Sequence, residues 1–188
     1  MKKILSLSFV FVLALVLFGC QMEPKENKEE LKNQNGPSDQ VIAELKQYNG
    51  TYTGSVYISG YGSTSTAISI IDGVFSISLT SVYYCLEQKE TASYYEQYNS
   101  QMTALQSQYQ LGLITREEYE KAAEEYQKKL DDNVAPIAAK YGASIFTTFV
   151  QKDATGYYAT VKGQRANMTF GATGITYEDP ISGMMIRF

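Results

Sequence analysis

The chain has 188 residues, with 16 Lys and Arg against 20 Asp and Glu, two cysteines, no histidine and no tryptophan. Without histidine there is no Ser-His or Cys-His nucleophile pair and no imidazole metal site. An acidic balance with scattered cations also lacks the clustered positive footprint that binds phosphate backbones, so no nucleic-acid partner is expected. The length suits one domain that buries its core without disulfide staples.

Met1-Lys2-Lys3 is a short basic start, and Ile4 to Phe18 is an almost uninterrupted apolar run. At 15 residues the run falls short of the ~20 that cross a bilayer as a helix, and a polar stretch follows it. It has the form of a secretory h-region. Leu17-Phe18-Gly19-Cys20 closes the run and resembles the lipobox of bacterial lipoproteins, with Phe18 standing where that family usually has a small residue. The resemblance implies cleavage before Cys20, a diacylglycerol thioether on its sulfur and, usually, a further acyl chain such as palmitate on its amine. Several acyl chains, each burying methylenes at about 0.8 kcal/mol, make a stable membrane anchor. Gln21 in place of the inner-membrane sorting residue Asp implies the outer membrane where a cell has one.

This divides the chain into a signal peptide at 1–19, a lipidated cysteine and flexible tether at 20–46, and a β domain at 47–188 with a helical insertion at about 88–142. Lipidation of Cys20 leaves Cys85 as the other cysteine, so no intramolecular disulfide forms. Cys85, within Val82-Tyr83-Tyr84-Cys85-Leu86, reads as a buried apolar thiol. The tether is rich in charge and amide and cannot bury enough apolar surface to order itself. Val41, Ile42 and Leu45 add a short helix at its far end.

From Thr51 to Ser59 the apolar residues alternate with polar ones, which predicts a half-buried strand. Ile68 and Ile70, the Asp72-Gly73 turn, and Phe75, Ile77 and Leu79 predict a hairpin over 64–80. The alternation resumes at 145–150, 157–162, 166–170, 174–178 and 184–188. Gly60-Tyr61-Gly62-Ser63 reads as a turn between strands, because it lacks the helix and Lys of a phosphate loop.

Between the two sets of strands the period changes. Tyr94, Tyr98, Met102, Leu105 and Tyr109 recur at helical spacing, as do Tyr119, Ala122, Ala123, Tyr126 and Leu130, which predicts two amphipathic helices in a hairpin. Thr115 with Glu118 forms a capping box at the start of the second. A third helix is expected over Val134 to Tyr141, capped by Asp132 or Asn133. That capping role is preferred to a calcium corner at Asp131-Asp132-Asn133, which lacks EF-hand spacing. Glu117-Glu118 and Glu124-Glu125 lie on solvated faces, since adjacent helical residues diverge by about 100°. The segment Tyr109 to Glu120, within residues 105–130, resembles the SHOCT short helical domain, which implies oligomerisation or partner contact. Gly183 to Phe188 resembles the C-terminal signal of outer-membrane barrels, although the Ser and Thr on the strands' outer faces favour a final strand that closes a water-facing sheet.

The fold class expected is α+β, an antiparallel β meander or a small calycin-like barrel with an inserted helical hairpin. Sixteen tyrosines supply rings with polar tips. Tyr94, Tyr98, Tyr109, Tyr119 and Tyr126 are the candidate ligand or partner contacts, with no catalytic residue, metal or cofactor assigned. The function expected is that of a non-catalytic, membrane-anchored envelope lipoprotein acting as an interaction module, with an envelope protein or itself as partner. The alternative is a calycin-like carrier of a small apolar ligand, which Phe75, Ile77, Leu79 and Met184 would prevent by filling the interior.

Overall fold

The computed structural model describes residues 36–188, so Cys20, the signal peptide and the proximal tether lie outside the described residues. The described chain opens with α1 (Asp39–Leu45), and Ser38 caps it by accepting the Val41 N–H at 3.2 Å. Leu45 is fully buried and Val41 nearly so, which sets the start of the folded domain ahead of the expected boundary at 46. Two side chains from the second sheet hold α1 down: Lys152 Nζ donates to Glu44 at 2.7 and 2.9 Å, and the Tyr157 hydroxyl donates to the same carboxylate. Within the helix, Gln40 donates to Glu44 at 2.8 Å.

Three strands follow: β1 (Gly50–Ile58), β2 (Gly62–Ile71) and β3 (Val74–Ser78). Asp72 and Gly73 take φ of 50° and 77°, the pair of positive values that a type I′ hairpin turn requires. Asn49 secures this turn, donating to the Asp72 carboxylate at 2.9 Å and accepting the Asp72 N–H at 3.1 Å.

Helix α2 (Thr80–Gln110) begins directly after β3, not near 88 as expected. The alternation ends at Leu79. Val82, Tyr83 and Leu86 continue at helical spacing and pack on the same core, so burial extends the helix back to the sheet. Tyr83 and Tyr84 consequently diverge around a helix, the first buried and the second 60% exposed. Cys85 is half-buried and packs against the core beside them.

Helix α3 (Arg116–Tyr141) is continuous, which corrects the expected third helix and its cap. Asp132 and Asn133 are interior, and Asn133 Nδ2 donates to the Lys129 carbonyl at 2.6 Å. Pro136 removes one backbone donor, but it lies on the exposed side of the helix. Ile137 and Tyr141 pack on the core just beyond it and carry the helix through. The chain then returns through β4 (Ile145–Phe149), β5 (Gln151–Asp153), β6 (Gly156–Val161), β7 (Gln164–Gly171), β8 (Gly174–Glu178) and β9 (Met185–Arg187).

The fold is α+β, with nine strands among the described residues in two antiparallel sheets of order β1-β2-β3-β4 and β5-β6-β7-β8-β9. The chain changes sheet at Val150, which is fully buried and donates its N–H to the Gly73 carbonyl at 2.8 Å. No ladder joins the two sheets, whose edge strands include β1 and β9, so the calycin-like barrel does not close. The meander alternative is the one observed. Phe75, Ile77 and Phe146 from the first sheet meet Val161, Ile175 and Tyr177 from the second in one buried cluster. The Phe75 and Tyr177 rings stack across it at 5.5 Å.

One consequence concerns pH. The hydrogen bonds from Lys152, and then those from Tyr157 and Gln40, lower the Glu44 pKa from 4.5 to about 2. A carboxyl depressed on folding contributes stability above its unfolded pKa and loses that contribution as pH falls towards the folded value. Docking of α1 is therefore expected to weaken between about pH 4.5 and pH 2. Amide exchange at Val41 and Leu45 measures this, and protection that stays flat across the window would disprove it.

Candidate functional site

The hairpin of α2 and α3 has a base and a distal half that are held in different ways. At the base Glu90 accepts from Lys140 at 2.9 and 3.2 Å and from the Tyr141 hydroxyl at 2.5 Å. Burial opposes the charge on Glu90, but the hydrogen bonds from Tyr141 and Lys140 outweigh it and lower its pKa. The Tyr83 ring meets Tyr141 edge-on at 5.2 Å. Farther out, the buried residues Leu105 and Leu130 lie outside the cluster shared with the sheets. The distal half packs on itself.

The five tyrosines singled out from the sequence fall into two groups. Tyr94, Tyr98 and Tyr126 line a shallow groove between the helices together with Leu130. The groove encloses about 10 Å³, room for no more than a water molecule. Tyr109 and Tyr119 stack near the tip with centroids 5.2 Å apart. All but Tyr109 are half-buried, so their rings chiefly join one helix to the other. The capping box forms, with Glu118 N–H donating to Thr115 Oγ1 at 3.2 Å and Thr115 N–H donating to Glu118 Oε2 at 2.7 Å. It starts α3 directly after an apolar tip, where Leu111 is 74% and Leu113 69% exposed. Nothing in the spacing of these two leucines sets them apart, and exposure is what marks them out.

A second feature escaped sequence reading. Asp179 is fully buried. Its Oδ1 accepts from the Tyr83 hydroxyl at 2.8 Å and more weakly from Tyr177 at 3.3 Å. Its Oδ2 accepts the Ser182 N–H at 2.9 Å and the Ser182 hydroxyl at 2.5 Å. Four donors converge on a group that accepts only. Burial, and then the charge of Asp179, pushes both tyrosine pKa values far up, so neither phenol serves as a base. No solvent reaches the carboxyl, and the cluster ties α2 to the turn between β8 and β9.

Beside that turn lies an open cleft of about 320 Å³ between Ala139, Lys140, Lys162, Gln164, Pro180 and Ile181. Its two cations are already engaged, Lys140 with Glu90 and Lys162 with the Lys140 carbonyl at 2.7 Å. Among the described residues no group of three or more His, Cys, Asp or Glu could hold a metal ion. Nor is any helix among them long and apolar enough to cross a membrane. No protein-family model, curated protein or solved structure matches the chain.

Proposed function

We propose that the chain is a lipid-anchored envelope protein that works without catalysis as an interaction module, presenting the helical hairpin to its partner. The observation that carries this reading is the distal hairpin, which leaves the β core, packs on itself and ends in the exposed Leu111 and Leu113. Exposed apolar clusters of this kind mark contact surfaces. The filled interior between the sheets favours contact over carriage of an apolar ligand. Phe75, Ile77 and Leu79 are each at most 1% exposed, and Met184 packs against the same core.

Thr115→Gly with Glu118→Gly removes both halves of the capping box, which costs about 1–2 kcal/mol within the hairpin. Crosslinked complexes in intact cells are expected to weaken while the β domain keeps its unfolding transition. Complexes of unchanged yield would remove the reading. Anchoring is tested separately by metabolic labelling with a fatty acid, which Cys20→Ser is expected to abolish. In native mass spectrometry, a small adduct that is lost on denaturation would favour carriage instead.

A further inference from the structure

Two of the hairpin turns take positive φ at both central residues, and their first positions differ in chemistry. Asp72-Gly73 has the residue type that such a turn favours, whereas Lys162-Gly163, between β6 and β7, sets a lysine at φ 49°. Gly, Asn and Asp visit that region routinely, so the lysine is held there at a conformational cost. Strained residues of this kind concentrate at ligand clamps and active sites. The side chain of Lys162 also has a fixed place. Its Nζ donates to the Lys140 carbonyl at 2.7 Å and stands over the Tyr83 and Phe146 rings at 5.8 and 5.9 Å.

We propose that the open cleft beside this turn binds a small carboxylate with a short apolar body. At about 320 Å³ the cleft has the size of a small-molecule site. Of the described residues that line it, Lys140 and Lys162 are charged and both are cations. Two carboxylates neighbour these lining residues, and both already accept from the protein: Glu90 from Lys140 and Tyr141, and Asp179 from Tyr83, Tyr177 and Ser182.

A carboxylate offers about four acceptor positions, so ammonium groups from two elements clamp it together, with the Gln164 amide as a further donor. Ala139, Pro180 and Ile181 complete the lining with apolar surface. Ile181 packs on the core, and the Asp179 cluster pins the turn that carries it. An inorganic anion leaves that surface wet, whereas a short alkyl chain covers it. The cleft lies at the base of the hairpin, and its ligand is independent of what the tip contacts.

Heteronuclear NMR on the full chain in detergent micelles tests this with butyrate as the probe. Saturable shifts are expected at the amides of Lys162, Gly163, Gln164 and Ile181. Butyramide, the neutral twin, is expected to leave them in place, and acetate to bind more weakly for want of an apolar body. Lys162→Gln is expected to weaken butyrate by about tenfold, and Lys162→Arg to restore it. Gln and Arg are equally foreign to the turn, so the pair separates loss of charge from loss of backbone geometry. N-acetylglycylvaline carries the same carboxylate at a peptide end. Binding tighter than that of butyrate would assign the carboxylate to a chain terminus, and weaker binding would assign it to a free acid. Equal shifts with butyramide, shifts spread outside the cleft, or no saturable shift would overturn the proposal. So would an unchanged butyrate affinity in Lys162→Gln.

Discussion

Asp179→Ala is expected to lower the unfolding free energy by about 3–5 kcal/mol, read as a shifted urea midpoint with little change in slope. The change removes the acceptor of four hydrogen bonds in a place where water does not substitute. Two phenol hydroxyls, those of Tyr83 and Tyr177, would be left buried without their acceptor, and each such group costs about 1–3 kcal/mol. Tyr83→Phe should cost less, because it takes away one donor and strands none. If Asp179→Ala costs no more than Tyr83→Phe, the carboxyl is not the junction described here. Hydrogen exchange adds a second readout, since loss of the junction should also raise exchange in the first turns of α2.

Gly174→Ala is expected to destabilise by about 2–4 kcal/mol, and Gly156→Ala by only about 1 kcal/mol. The comparison isolates one cause. Both glycines open a strand with nearly the same φ, 122° and 124°, so both substitutions carry the same conformational penalty. At Gly156 a new Cβ would meet nothing within 4 Å, whereas at Gly174 it would lie 2.1 Å from the Phe188 carbonyl oxygen. That oxygen accepts the Ile175 N–H at 3.1 Å, and Phe188 N–H returns a bond at 2.8 Å. The methyl therefore forces the last residue off β8. Equal urea midpoints for the two variants would show that the chain end yields freely.

Much of the β structure was legible because one face of each strand is buried. Val56 and Ile58, Ile68 and Ile70, and Phe75 and Ile77 alternate as a sheet over a core demands, and the buried set matches. The Asp72-Gly73 turn was legible from two residues. Sequence reading failed where distant packing overrode local pattern. Val82 to Leu86 is a short unbroken apolar run that does not distinguish a strand end from a helix start, and the core supplied by other elements decides it. A separate third helix from Val134 was expected, yet Ile137 and Tyr141 pack on the core and hold α3 continuous past Pro136. Division into two sheets depends on a change of direction at Val150, which no spacing announces. Of the candidate site, the tyrosines and the capping box were legible. The exposed tip was not, because the spacing of Leu111 and Leu113 does not tell whether they are buried, and Asp179 carries no local signal of a cluster that Tyr83 completes from 96 positions away.

The hairpin leaves from and returns to neighbouring strands, with Ser78 paired to Ile145 across β3 and β4. It is an elongated connection between adjacent strands, and its length does not enter the construction of either sheet. Removing seven residues from each helix in the distal half would keep the facing residues of the two helices in register and draw the tip inward by about 10 Å. The arm thus behaves as a ruler graduated in heptads, and the protein's reach can be reset without touching the body that holds it.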